Sequence, residues 1–358
     1  MTLLSEPPRK IAVLRANGLG DFMMATPALR ALGKGFPEAQ ITFLTLPWLR
    51  DFLTGRYPYL HRVEAIPPYP NINTSGHGSP AAAQAADEFF ARMRAERFDL
   101  AIQMHGGGAD SNPFVSRLGA RHTLGLTAND ATPLEHNLRY CYYQSEVIRY
   151  LELVSKLGIP WDGLDTDMPI LESDRRRLAE AFRPGRRPYA ILHAGAGDVR
   201  RRWPVESFAR VGEHIHQRWG LDLVLTGRED ERGVLEQLSA LCRAPLIDLS
   251  CRLDLGTLAA LVSGAALLVS NDTGPSHMAY ALNVPSVVIF WCGNLITAGP
   301  FRRERFRPVL SWTLRCPMCR TEGRCACPAS WVADAPLEEV MAQVDDLMRE
   351  AHSVMPAT

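Results

Sequence analysis

Neither sign of charge is in surplus, with 39 Lys plus Arg set against 39 Asp plus Glu in 358 residues. That balance speaks against a general electrostatic grip on nucleic acid, which rests on a basic surplus. Also missing is any apolar run near the ~18 residues that a membrane-spanning helix requires, so membrane contact is expected to be peripheral at most. The opening MTLLSEPPRK is too polar and too rich in proline for an export signal. A cytoplasmic chain with reduced thiols is therefore expected, at most peripheral to the inner membrane face. Short repeats and low-complexity tracts are absent too. Hydrophobic residues at 46% and charged residues at 22% are ordinary globular usage, which excludes a disordered chain, a collagen-like chain and a coiled-coil rod.

What is present is alternation. Short β-rich apolar runs at 11–16, 41–46, 63–66, 99–105 and 122–126 are separated by helical stretches at 27–32, 80–96, 112–119 and 144–158. A polar segment, 162–188, reads as a linker carrying a short helix. The alternation then restarts, with strands predicted at 189–195, 221–227, 244–250, 266–272 and 286–291. Helices are predicted between them at 205–219, 228–242, 255–263 and 274–282. Single helices joining such strands imply two parallel doubly wound sheets, with ligands at the carboxyl ends of the strands. The expected domains are 9–172 and 188–335, with an amphipathic helix at 336–352 crossing back to the first. A Gly/Ser/Pro loop at 71–80 is expected to be mobile.

Three strand ends carry the candidate chemistry. The first strand runs into Arg15-Ala16-Asn17-Gly18-Leu19-Gly20-Asp21, where two glycines would let the backbone turn tightly. No third glycine completes a dinucleotide-binding fingerprint. Asp21 is either a helix N-cap or a functional carboxylate. Thr26-Pro27 is itself a good cap pair, which would relieve Asp21 of capping. The strand at 189–195 ends in Gly195-Ala196 and runs on to Arg200-Arg201-Arg202-Trp203-Pro204. Arginines there suit bidentate phosphate recognition, or form a solvated basic loop. The third strand end, Ser270-Asn271-Asp272-Thr273-Gly274-Pro275-Ser276-His277, starts a helix whose free N–H groups and dipole favour a diphosphate. The plainer alternatives are that Asp272 or Thr273 caps that helix and that His277 packs in its first turn. Cys292-Gly293-Asn294 ends a further strand at the same rim.

Of eight cysteines, Cys316, Cys319, Cys325 and Cys327 crowd together near the C-terminus. The spacing suits a four-thiolate zinc site. The gap between the pairs is tight for two separate knuckles, so free reduced thiols are the preferred reading and no metal is expected.

These residues in this order resemble glycosyltransferase family 9, whose best-known members are the ADP-heptose:lipopolysaccharide heptosyltransferases. The resemblance rests on Gly-Leu-Gly-Asp21 with Thr26-Pro27, Phe98-Asp99-Leu100, Arg201-Arg202-Trp203-Pro204, Gly227-Arg228-Glu229 and Asp272-Thr273-Gly274-Pro-Ser-His277. It spans roughly residues 9–350, and the cysteine-rich segment is similar to the family's. It implies an α/β architecture of GT-B type, two Rossmann-like domains facing a central cleft, with acceptor on the first and nucleotide-sugar donor on the second. It also implies an inverting enzyme that needs no metal or other cofactor.

Carried over residue by residue, the resemblance gives Asp21 as catalytic base. Arg201 would meet the donor phosphates, at a position where heptosyltransferases often carry lysine. Glu229 would lie near the ribose and Leu253 beside the adenine. Gly195, Ala196, Asp272, Thr273, Gly274 and His277 would complete the donor site, with Arg15, Gly20 and His105 at the acceptor. The activity implied is transfer of a sugar, a heptose from ADP-heptose, to a hydroxyl of a glycan or glycolipid, as in lipopolysaccharide core assembly, by a monomer that binds no nucleic acid. A small soluble or natural-product acceptor is the alternative within the class. Outside it stand a catalytically silent nucleotide-sugar-binding protein and an epimerase that shares the layout.

Overall fold

The structure, a computed structural model, describes residues 3–74, 79–322 and 325–353. Residues 75–78 of the loop expected at 71–80 lie outside them. The chain divides into two compact units, Met1–Pro169 and Ile170–Thr358.

The first unit holds β1 (Lys10–Leu14), α1 (Leu19–Gly35), β2 (Gln40–Thr45), α2 (Pro47–Leu53), β3 (Arg62–Ala65), α3 (Pro80–Ala95), β4 (Leu100–Gln103), α4 (Ser111–Ser116), β5 (His122–Thr127), β6 (His136–Arg139) and α5 (Glu146–Ser155). The second holds α6 (Glu172–Ala181), β7 (Tyr189–His193), α7 (Val205–Trp219), β8 (Asp222–Leu225), α8 (Arg232–Leu241), β9 (Leu246–Asp248), α9 (Leu255–Ser263), β10 (Leu267–Asn271), α10 (Gly274–Ala281), β11 (Ser286–Trp291), α11 (Cys292–Ala298), β12 (Phe306–Ser311) and α12 (Leu337–Ser353).

Each unit is built on a six-stranded sheet. The first has the order β3-β2-β1-β4-β5-β6, the second β12-β11-β10-β7-β8-β9. Every pairing is parallel. Read from either end, both are the doubly wound order in which the winding reverses beside the first strand, so the chain carries the same topology twice. Central strands covered by helices on both faces must be apolar at every position. Accordingly Ile11, Ala12, Val13 and Leu14 of β1 and Leu267, Leu268 and Val269 of β10 are all fully buried. Helices face the sheets with one stripe: Phe208, Val211 and Ile215 of α7 are buried at helical spacing. The helix stops at Gly220, whose φ of +65° is the left-handed cap that glycine adopts without strain.

The winding reverses between β1 and β4 in the first sheet and between β7 and β10 in the second. At such a switch point adjacent loops part and leave a crevice at the carboxyl ends of the strands. Those four strand ends carry nearly all the candidate residues.

Three expectations are corrected. Helix α1 begins at Leu19, eight residues before Pro27, which sits inside the helix. Proline cannot donate to the carbonyl of Met23 four residues back. The Thr26 hydroxyl donates to that carbonyl instead, at 2.7 Å. Gly18 has extended backbone, φ −69°, and Gly20 lies within the helix, so neither makes a left-handed turn. Finally, the helix expected to cross back to the first unit packs on its own. Helix α12 lies against α7, β11 and β12, where Val340, Val344, Leu347 and Met348 join the core of the second unit. Its apolar stripe is buried in that core. Within the segment expected as a linker, α6 docks on α9.

Candidate functional site

In the first unit, Asp21 occupies the third position of α1. Its Oδ2 accepts the Gly18 N–H at 3.0 Å, so Asp21 does cap the helix that Thr26-Pro27 was expected to start. Its Oδ1 accepts from Arg15 Nη2, also at 3.0 Å. The carboxylate is nevertheless 36% exposed, which leaves an edge open to a substrate. Capping and function are therefore compatible, since a carboxylate offers about four lone-pair directions and only two are spent.

Arg15 directly follows β1. It is 2% exposed, and its donors are taken by Asp21, by the Met104 carbonyl at 2.8 Å and by the Glu146 carboxylate. Tyr150 lies under the guanidinium at 4.9 Å. Burial alone would lower its pKa, but Glu146, Tyr150 and Asp21 outweigh burial and raise it. Arg15 thus holds Asp21 in place. Arg149, buried and bonded to the carbonyls of Cys141, Tyr142 and Gln144, braces Glu146 from behind.

His105 follows β4. Its Nδ1 accepts the Ala16 N–H at 3.3 Å. Burial, then the Arg15 charge, push its pKa down to about 4 against the pull of Asp21 and Asp110. The imidazole is neutral at physiological pH, with Nε2 carrying the proton because Nδ1 accepts. A neutral N–H donor and a carboxylate at adjoining strand ends form a surface that can orient a hydroxyl.

In the second unit, the strand ends of β7 and β10 are joined by Asn271. Its Nδ2 donates to the carbonyls of Ala194 and Gly195, and its Oδ1 accepts the Trp203 N–H. Between these contacts Val199–Arg201 forms one turn of 3-10 helix. The three arginines have separate tasks. Arg200 grips Asp198, Arg202 donates to the Ala196 carbonyl, and Arg201 Nη1 reaches the Asp272 carbonyl at 3.2 Å and its carboxylate at 3.3 Å. Arg201 is therefore the arginine placed at the N-terminus of α10, half-exposed and facing outward.

Asp272 does not cap α10. It is buried, with Oδ2 accepting from Asn294 at 2.8 Å and Oδ1 3.6 Å from His277 Nε2. Burial raises its pKa, but His277 and Arg201 more than offset this and leave it lowered. Thr273 is the N-cap residue, and its N–H donates to Ser276 Oγ at 3.3 Å. Gly274 opens the helix. His277 packs edge-on to Tyr280 as well as facing Asp272, so packing and polar contact coexist.

Gly195 has a specific reason to be glycine, because a Cβ there would overlap the Glu231 carboxylate. Glu231 is buried, accepts the Arg228 N–H at 2.9 Å and lies 3.9 Å from His193. Ala196 is buried beside it. Glu229, by contrast, points outward and pairs with Arg232, at 2.6 Å and 2.8 Å, and Leu253 is half-buried just before α9. Glu146, Glu231, Asn271 and Asn294 were not assigned roles from sequence. Only the last two lay in segments already singled out.

With this geometry in place, the sequence model of Glycosyltransferase family 9 (heptosyltransferase) matches residues 87–322. The chain belongs to glycosyltransferase family 9. It is similar to lipopolysaccharide heptosyltransferase 1 of Pseudomonas aeruginosa, 33% identical over 311 residues that cover 83% of this chain and 82% of that one. Among solved structures it resembles the family 9 glycosyl transferase of Veillonella parvula, with TM-score 0.78, 20% identity and coverage of 96% and 97%. It also resembles the Escherichia coli ADP-heptose lps heptosyltransferase II, with TM-score 0.74, 18% identity and coverage of 96% and 99%. The fold is of GT-B type and the protein is a glycosyltransferase. Among the described residues, no helix is long and apolar enough to cross a membrane.

Proposed function

We propose that this family 9 member transfers a heptose, with inversion, from ADP-heptose to a hydroxyl of a glycolipid acceptor in lipopolysaccharide core assembly. The observation that carries the reading is Arg201, held against Asp272 at the N-terminus of α10. Likeness to a heptosyltransferase at 33% identity supports the choice of sugar.

In this mechanism Asp21 takes the proton of the acceptor hydroxyl as its oxygen bonds to the anomeric carbon. The bond from that carbon to the diphosphate breaks with its electron pair leaving on ADP. Attack comes from the face opposite the leaving group, which inverts the centre. Arg201 and the partial positive charge of the α10 N-terminus stabilise the departing diphosphate, without a metal at the reacting atoms. His105 donates from Nε2 to orient the acceptor, and Glu229 and Leu253 border the nucleoside.

Calorimetry with ADP and ADP-heptose, paired with a product assay on lipid and soluble acceptors, tests the reading. Binding of ADP-heptose and transfer to the lipid acceptor are expected. Turnover confined to small soluble acceptors would replace the lipid reading. Binding without turnover across all acceptors would leave a silent binding protein. Arg201→Ala should lower turnover roughly a hundredfold, the effect of losing one preorganised donor at a developing charge. A loss under about threefold would remove Arg201 from the diphosphate site.

A further inference from the structure

Between β12 and α12 the fold gathers the sulfurs of Cys316, Cys319, Cys325 and Cys327 so that all four lie within 4.8 Å of one another. Metal–sulfur bonds of about 2.3 Å in a tetrahedron hold sulfurs ~3.8 Å apart, so little movement separates this cluster from a complete coordination shell. Spacing alone had favoured free thiols. The backbone shows a different purpose.

The Cys319 N–H points at Cys316 Sγ, 3.5 Å away, and the Thr321 hydroxyl oxygen lies 3.3 Å from Cys319 Sγ. A backbone N–H aimed at a sulfur favours the thiolate, the form that binds metal. Cys316 N donates to the Thr321 carbonyl, Arg320 N donates to the Cys316 carbonyl, and Arg315 pairs with Glu322 across the base of the loop. Arg320 accepts a left-handed φ of +63° to close that turn. Such a backbone is unfavourable for a residue with a side chain and persists only where its surroundings fix it. Among the described residues these sulfurs form no disulfide.

We infer that the four thiolates hold one tetrahedral zinc ion, and that this ion anchors the arginine turn of the donor site. Binding releases the remaining thiol protons to solvent. The anchoring follows from hydrogen bonds on both flanks of the turn. Arg200 Nη1 donates to the Cys325 carbonyl at 2.7 Å, Trp331 N–H to the Arg200 carbonyl at 2.7 Å, and Ser330 Oγ to the Arg202 carbonyl at 2.7 Å. A fixed cysteine segment fixes residues 200–202, and Arg201 with them.

The zinc site itself stands apart from the proposed donor reading, while the anchoring rests on it. The full chain purified under reducing conditions without chelator should carry about one zinc per chain by plasma mass spectrometry. Cys325→Ser/Cys327→Ser should lose it, and Cys141→Ser, outside the cluster, should keep it. If the double variant fails to fold, Cys319→Ser, at an exposed corner, replaces it. Withdrawing the ion with a chelator should weaken ADP binding by about tenfold, the cost of re-ordering one or two side chains. Less than about a tenth of an equivalent of zinc, a disulfide within the cluster, iron in place of zinc, or zinc retained after the cysteine substitutions would each overturn the site. Unchanged ADP affinity after zinc removal would overturn the anchoring. Absence of ADP binding in the zinc-loaded chain would instead count against the donor reading and leave the zinc result standing.

Discussion

Asp21 shows how one carboxylate serves structure and chemistry together. One oxygen caps α1 and the other meets Arg15, so Asp21→Asn removes charge while keeping one oxygen for the cap. The amide oxygen of Asn can accept the Gly18 N–H as the carboxylate does, and the lost ion pair should cost only ~1–2 kcal/mol by chemical denaturation. Turnover should fall by a factor on the order of 100 to 10,000, with ADP binding retained. Near-normal turnover in the folded variant would sink the assignment of Asp21 as base. His105 gives a pH prediction. Its pKa is pushed from 6.5 to about 4 in the folded chain, so between those values the unfolded chain binds a proton that the native chain does not. Stability therefore declines as pH falls from 6.5 towards 4, and this contribution is fully present above 6.5. Denaturation midpoints across that window should drop for the wild type and drop less for His105→Gln. Identical slopes would mean that another group carries the effect.

At the scale of elements, the loop after β7 depends on a glycine and a buried acid. Gly195→Ala should drive the Glu231 carboxylate from its place, free the Arg228 N–H and shift the strand end that Asn271 grips. Overpacking of this kind costs about 1–3 kcal/mol, measurable as a lower melting temperature, and ADP affinity should fall with it. A variant matching wild type in both would show that the loop absorbs the methyl group. The strands around these loops were legible because parallel-sheet strands are continuous apolar runs. The misreadings share a physical cause. The start of α1 was misplaced because Thr26-Pro27 has the chemistry of a cap, and only the fold shows the Thr26 hydroxyl repairing the bond that Pro27 removes. The edge strand β6 is His-Asn-Leu-Arg, β12 is interrupted by Arg307 and Pro308, and α2 and α11 span seven residues each, so none of them shows a clear apolar period. Glu146, 131 residues from Arg15, left no local trace because its role exists only after folding.

For the whole molecule, the informative element is α12. An amphipathic C-terminal helix looks the same in sequence whichever unit it covers, because its stripe specifies an apolar partner and not which one. Its buried Val340, Val344, Leu347 and Met348 belong to the core of the second unit, and Asp345 accepts from His214 and Trp219 of α7 at 2.8 Å each. Burying four such side chains contributes roughly 6–12 kcal/mol together at the usual value per side chain, an upper figure because unfolded chains bury some surface already. Whole domains are stable by only about 5–15 kcal/mol, so the second unit cannot spare the helix. A chain ending at Pro336 should lose the folded second unit and with it ADP binding. The first unit, whose sheet and helices are complete without α12, should persist as a protease-resistant fragment ending near Pro169. Limited proteolysis with mass spectrometry, alongside circular dichroism, reads both outcomes. Loss of the first unit with survival of the second would mean that α12 serves the first.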